Sequence, residues 1–254
     1  MTDLIIFSVG NNKYALNIEN IQRIIQATKL TDIPNTHTLV DGMMSYEDSV
    51  IKVLNFRKLI GIESYNEELH ELFSNLKNAH TEWIDALKHA IDSGSNFTKT
   101  TDPHKCELGK WLDNFNSYDD RVTQILKQLV ENHKYLHTAG HDALELNKSD
   151  NSAAQSLVDT KIYDAYTNTI GAMNTFIEEL DGVADSLQKF IIYEKDGNSF
   201  AIKVDLIEDI AHIDDSSIIN STESSETNEF LELDGVLDLD GVLINVIKTV
   251  NIPN

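Results

Sequence analysis

His80, Cys106, His133 and His137 are the residues of this 254-residue chain whose types and spacing point most directly to chemistry. They stand as His80-Thr-Glu-Trp83, then Cys106-Glu-Leu108-Gly109-Lys-Trp111, then His133-Lys-Tyr-Leu-His137. Three imidazoles and one thiolate fill the four positions that Zn2+ prefers, and His133 and His137 are one helical turn apart, so both can face one ion. Cys106 is the sole cysteine, so it has no intramolecular disulfide partner. Metal binding, thiol chemistry or plain burial must account for it. His141 lies one turn past His137, where it competes as a ligand or sits on solvated helix surface. His37, His70, His89, His104 and His212 have no partner at metal spacing and read as surface residues.

A shell closed by four protein ligands argues against catalysis, because catalytic zinc keeps a position open for water. His80-Thr-Glu82 with Pro103-His-Lys-Cys106 resembles in part the His-x-Glu and Pro-Cys-x-x-Cys signature of zinc deaminases, but Gly109 stands where the second cysteine belongs. A zinc hydrolase or deaminase is therefore the weaker reading.

Helices must position these side chains. Leu69, Leu72, Phe73, Leu76, His80, Trp83, Ile84, Leu87 and Ile91 recur in steps of three and four, the period of an amphipathic helix. A second stripe runs through Val122, Ile125, Leu126, Leu129, His133, Leu136 and Gly140, and a third through Ile162, Ala165, Tyr166, Met173, Phe176, Ile177, Leu180 and Val183. Such stripes need one another to be buried, which predicts a bundle over 63–188. His80 and His133 occupy places the stripes reserve for apolar groups, so both should point inward. Gly94-Ser95 and Thr100 to Pro103 separate the first helix from a short Gly-containing segment that could bend the Cys106 thiolate toward the helices.

The two ends repeat each other. Leu4-Ile-Ile-Phe7 through Tyr14-Ala-Leu16 aligns on Phe190-Ile-Ile-Tyr193 through Phe200-Ala-Ile202 at a constant offset of 186, continuing through Ile18, Ile21 and Ile24 against Val204, Ile207 and Ile210. A second block, Asp41-Gly42-Met-Met44 and Val50-Ile-Lys-Val53, matches Asp234-Gly235-Val-Leu237 and Leu243-Ile-Asn-Val246 at offset 193. The difference is one loop insertion, placed in the Ser- and Glu-rich stretch 214–229, which reads as a solvated connection. Apolar run, Gly/Asn turn, apolar run is a hairpin signature, with Gly42 and Gly235 marking the way into later strands. The reading is two homologous β-subdomains, 1–62 and 189–254, with the bundle inserted between them and its ends therefore close together.

Composition limits the partners. Asp and Glu outnumber Lys and Arg by 42 to 20, a formal charge of -22 that repels nucleic acid and anionic membranes. No apolar run approaches the roughly 20 residues of a membrane span, and the apolar start Leu4–Phe7 is too short for a secretory h-region. A reducing cytoplasm is the expected location, with no nucleic acid and no membrane insertion.

The His-x-x-Trp, Cys-x-Leu-Gly-x-Trp and His-x-x-x-His pattern resembles the chemoreceptor zinc-binding (CZB) domain, a helical bundle that holds zinc with three histidines and a cysteine. The resemblance implies His80, Cys106, His133 and His137 as ligands, with Trp83, Leu108, Gly109 and Trp111 packing and turning around them, and implies dimerisation through the bundle and sensing of zinc or oxidants. The flanks resemble a second family. Ile21-Gln-Arg-Ile24-Ile25, Ile33-Pro34, Gly42 and Val50-Ile-Lys-Val53-Leu54-Asn-Phe-Arg57-Lys-Leu59 look like the first half of a CheW-like chemotaxis coupling domain, and 190–252 like its second half. That implies an α+β multidomain chain of duplicated SH3-like β-barrel subdomains interrupted by a helical bundle, with chemoreceptor signalling tips and a CheA-type histidine kinase as partners. Arg57 matches the family's arginine used in partner binding; the alternative is a surface salt-bridge arginine. Where the family often has Asn-Leu-Arg-Gly this chain has Ser45-Tyr46-Glu47-Asp48, a reversal of charge. Zinc as an input and zinc as a purely structural staple both fit, and the lone oxidisable thiolate favours the first.

Overall fold

The computed structural model describes residues 1–115, 117, 119–219 and 229–253. In chain order it has β1 (Thr2–Val9), β2 (Asn12–Asn17), β3 (Ile21–Gln26), β4 (Val40–Tyr46), β5 (Ser49–Asn55) and a helical turn α1 (Phe56–Leu59). Then come α2 (Tyr65–Ser93), α3 (Glu107–Asn114), α4 (Asp120–Asn147), α5 (Asn151–Leu157) and α6 (Tyr163–Leu187). The chain closes with β6 (Lys189–Lys195), β7 (Asn198–Val204), β8 (Leu206–Ile213), β9 (Ile218–Ile219), β10 (Leu231–Leu239) and β11 (Val242–Val250). It divides into two compact units, Met1–Tyr65 with Ala184–Asn254 and Asn66–Val183. These borders fall inside α2 and α6, a few residues from the 62/63 and 188/189 boundaries expected from sequence texture.

The two ends of the chain are interleaved rather than separate. One sheet has the order β8-β1-β2-β11-β10-β9 and the other β3-β6-β7-β5-β4. Each hairpin at the start of a repeat thus joins strands of the other repeat. The duplication fixes the register as well. Val246↔Ala15 and Ile247↔Leu16 in one sheet are the counterparts, at the sequence offsets 193 and 186, of Val53↔Ala201 and Leu54↔Ile202 in the other. Among the described residues both ladders run from edge to edge without closing on themselves, so what is seen is two sheets, not closed barrels.

Burial explains the uninterrupted apolar runs that begin the repeats. Phe7, Val9, Tyr14 and Leu16 from one sheet pack with Leu54, Ile191, Tyr193 and Ile202 from the other in a shared core. The alternate residues Leu4, Ile6 and Ala15 pack in a cluster with Leu237, Ile244 and Val246. Phe190, Ile192 and Ala201 pack equivalently with Ile51 and Val53. A strand covered on both faces has no polar face to show in its sequence. Gly42 and Gly235 do not precede strands but lie within β4 and β10, each beside a bulge in the pairing. A Cβ at Gly42 would meet the Thr31 carbonyl oxygen at 2.7 Å, and one at Gly235 the Ile219 carbonyl oxygen at 2.4 Å. The glycines permit the same close backbone approach twice. Of the Ser- and Glu-rich loop, 220–228 lies outside the described residues.

The helical unit follows its stripes. Leu69, Phe73, Leu76, Trp83, Ile84, Leu87 and Ile91 are buried on α2, and Val122, Leu129, Leu136 and Ala143 on α4. The third stripe is longer than its sequence suggested: α5 runs through a π-helical turn, Val158–Ile162, into α6, and Ala154, Val158, Ile162 and Ala165 all enter one core with Trp83 and Leu136. Val183, counted in that stripe, has a side chain outside those described. No helix among the described residues is long and apolar enough to cross a membrane.

Candidate metal centre

α2 carries His80 and α4 carries His133 and His137, all within the apolar stripes and 3%, 2% and 0% exposed. Cys106 is the N-cap of α3 rather than part of an irregular loop, and its Sγ accepts a hydrogen bond from the Gly109 N–H at 3.3 Å. The turn depends on Gly109, because a Cβ there would lie 1.7 Å from the Pro103 carbonyl oxygen. Gly140, one turn past Leu136, leaves room for the Trp83 ring, whose nearest atom would be 2.3 Å from an added Cβ. Trp83 in turn donates its Nε1–H to the Thr100 carbonyl at 2.8 Å, which ties the segment leading to Cys106 onto α2.

The four groups converge. One ligand atom from each of His80, Cys106, His133 and His137 lies within 4.8 Å of every other, and Cys106 Sγ is 3.1 Å from His133 Nε2. A tetrahedral zinc shell places its ligand atoms roughly 3.3–3.6 Å apart, so small side-chain adjustments suffice. His80 Nδ1 donates its N–H to the Leu76 carbonyl at 2.8 Å, which leaves Nε2 with a free lone pair. His80 Nε2 and both nitrogens of His137 are buried with no hydrogen-bond partner. Unpaired buried polar atoms are costly, and a cation accepting one lone pair from each imidazole removes that cost at His80 Nε2 and at one of the two His137 nitrogens. The residues present therefore fit a metal ion of zinc's preferences.

Electrostatics agree with that fit. Burial, reinforced by the other imidazoles, pushes His133 down to about 2. Burial, with His80 alongside, pushes His137 down to about 4 against a weaker opposing pull from the Thr100 carbonyl and Asp102. His80 is lowered by burial too, with the Leu76 carbonyl opposing. All three are neutral lone-pair donors near pH 7. Burial raises the Cys106 thiol, and the Gly109 and Leu108 amides at the start of α3 pull it back only in part. A neighbouring cation would reverse that balance and favour the thiolate. Beside these groups lies a cavity of about 240 Å³ whose walls include Leu76, Trp83, Leu108 and Cys106, and its lining is apolar.

Residues 3–75 match the family described as CheW-like domain, and residues 80–144 match the chemoreceptor zinc-binding domain. The chain carries a CheW-like domain followed by a CZB domain. The CZB match contains all four converging residues, and the CheW-like match contains Arg57, β2 to β5 and all of β1 but Thr2. Chemotaxis protein CheW of Thermotoga maritima is 26% identical over 66 residues, which is 26% of this chain and 43% of that protein. The chain thus spans less than half the length of that curated relative. Among solved structures, scaffolding protein TtCheW from Thermoanaerobacter tengcongensis aligns at a TM-score of 0.47 and 12% identity, covering 98% of this chain and 90% of that one. The regulatory CZB domain of DgcZ aligns at 0.40 and 13%, covering 45% and 98%.

In the CheW-like domain Arg57 lies at the centre of a buried hydrogen-bond network. Its side chain is 1% exposed, so it is not the surface salt-bridge arginine of the alternative reading. The guanidinium forks onto Asp205, with Nε 2.9 Å from Oδ1 and Nη2 2.6 Å from Oδ2, and Nη1 donates to the Glu63 carbonyl at 2.9 Å. Asp205 is a residue that the sequence reading missed; it lies 148 positions away with no local signal to mark it. Glu47 lies in the exposed turn between β4 and β5 at φ 50°. His141 is exposed on α4, and His104 pairs on the surface with Asp113.

Proposed function

We propose that this protein is a cytoplasmic, non-enzymatic chemotaxis scaffold that couples chemoreceptor signalling tips to a CheA-type histidine kinase, and that His80, Cys106, His133 and His137 hold Zn2+ as an input to that coupling. The β unit in this reading is one CheW-like domain of two SH3-like barrels, its first half 1–62 and second half 189–254, interrupted by the CZB domain. The matched register of Leu54↔Ile202 and Ile247↔Leu16 supports pairing the two ends as halves of one domain.

The observation that carries the zinc assignment is the convergence of four donor groups among which buried imidazole nitrogens have no other partner. When bound, zinc supplies a cation that holds the sulfur as thiolate and completes the imidazole lone pairs. The three histidines supply neutral donors from two rigid helices. Cys106 comes from the short α3 and is the partly exposed member of the set, so it is the ligand that can leave. A hydroperoxide that transfers one oxygen atom to the sulfur gives a sulfenic acid and releases an alcohol or water, and the altered sulfur no longer serves as the fourth donor. Release of the α3 cap then frees the segment from Thr100 to Asn114.

Burial of the three imidazoles also suits a second reading, in which zinc only staples the bundle. Binding of the purified chain to a CheA-type kinase and to a receptor cytoplasmic fragment separates the two. An input changes affinity about five- to 150-fold between zinc-loaded, chelated and peroxide-treated protein, the range usual for coupled sites. Equal affinity in all three states leaves only the staple.

A further inference from the structure

We propose that the buried Arg57–Asp205 pair is a clasp holding both points where the chain passes between the β unit and the bundle, so that it relays the state of the bundle to the sheets. This rests on reading the zinc site as an input. The outgoing crossing is residues 63–65. Arg57 Nη1 donates to the Glu63 carbonyl at 2.9 Å, and its guanidinium lies 5.0 Å from the centre of the Tyr65 ring, the first residue of α2. The returning crossing is Gln188, directly after α6. Its Nε2 donates to Asp205 Oδ1 at 2.8 Å, and its carbonyl accepts from the Ala27 amide at 3.1 Å and from Gln26 Nε2 at 2.7 Å.

A third arm reaches the sheets. Asp205 Oδ2 accepts the Gly10 amide at 2.8 Å, in the turn between β1 and β2, and the Asp205 amide donates to the Ser8 carbonyl at 3.3 Å. Ile62, next to the outgoing crossing, would touch a Cβ at Gly10 at 3.0 Å. One carboxylate thus joins α1, the β1–β2 turn, the β7–β8 corner and the returning chain. Gln188 and Asp205 are 4% and 9% exposed, so these hydrogen bonds have little water to replace them, and a pull on either crossing is felt at the carboxylate. In this proposal Arg57, Asp205 and Gln188 act as positioning residues for the coupling.

Amide hydrogen exchange on the full chain, zinc-loaded and then chelated, tests the relay. In wild type, chelation should raise exchange in α2, α3 and α4 and also in the peptides around Gly10 and Asp205. Gln188→Met keeps the ion pair, the side-chain volume and the backbone bonds of Gln188 but removes its side-chain bond to Asp205; Arg57→Lys keeps the charge but cannot fork. Both should retain stoichiometric zinc and the bundle response, while the response around Gly10 and Asp205 shrinks about fivefold or more, the lower end of ordinary coupling between sites. If wild type responds in the β unit and both variants respond equally, the clasp is wrong while the input reading stands. If wild type shows no β-unit response to chelation although the bundle does respond, the input reading fails and takes the relay with it. Should Arg57→Lys unfold, Gln188→Met alone decides.

Discussion

At the scale of residues, Cys106 and His137 carry the clearest expectations. His137 is fully buried with both nitrogens unpartnered, and Cys106 brings the one sulfur of the four converging groups. Cys106→Ala or His137→Ala should lower zinc affinity on the order of 100-fold or more, since loss of a whole ligand exceeds the 10- to 100-fold cost of losing an outer-shell partner. Competition against a chromophoric chelator measures it, and unchanged affinity in both variants would remove the ligand assignment. The ligand types and the one-turn step from His133 to His137 were legible in the sequence because metal chemistry restricts them so tightly. Arg57 was not. Its guanidinium looks the same in a sequence whether it faces water or a carboxylate brought in from a distant strand, and only the fold brings Asp205 to it.

At the scale of elements, the long helices were readable from their period, whereas α3 and α5 were not, because eight and seven residues hold too few turns to show one. α3 matters most. Its N-cap is a metal-ligand candidate, and the preceding turn has no space for a side chain at Gly109. Gly109→Ala should therefore lower zinc affinity while α2 and α4 stay helical, which far-UV circular dichroism and chelator competition together detect. A variant with normal affinity would mean that the cap can move without cost.

In the β unit the corresponding local element is the part-buried cluster at Asp41, which pairs with Lys203 at 3.0 Å and with the half-exposed Lys58 at 2.7 Å and accepts from Asn55 Nδ2 at 2.8 Å. Burial alone would raise this carboxyl, but Lys203 and Lys58 together hold it below its ordinary value of 3.8. The folded state thus binds the proton more weakly than the unfolded state, so this stability is fully present above about pH 4 and disappears as pH falls through the lower folded value. Asp41→Asn should cost about 2–3 kcal/mol at pH 7, less than a fully dry pair because Asp41 keeps some water. In urea unfolding, the gap between wild type and variant should narrow at pH 3; a gap independent of pH would assign the loss to shape instead of charge.

At the scale of the whole molecule, the repeat at offsets 186 and 193 disclosed the duplication but not the exchange of hairpins, since a repeat says which segments are alike and not which of them pair. The exchange has a consequence for folding. β1 and β2 lie between β8 and β11, and β6 and β7 between β3 and β5, so neither terminal half contains a complete sheet. Residues 1–65 alone should therefore remain unfolded, with random-coil amide shifts and no cooperative urea transition. Replacing 65–187 by a Gly/Ser linker should instead leave a folded β unit. Glu63 and Gln188 are both hydrogen-bonded to the Arg57–Asp205 pair, which keeps the two cut ends on the order of 10 Å apart by hydrogen-bond lengths alone. A flexible linker of about eight residues spans roughly 15 Å, enough to bridge them. Cooperative unfolding of the joined protein, with strand-rich circular dichroism, is the expected result. Folded, dispersed spectra from 1–65 would show that the hairpins can find partners within their own half and that the interleaving is not what holds the sheets together.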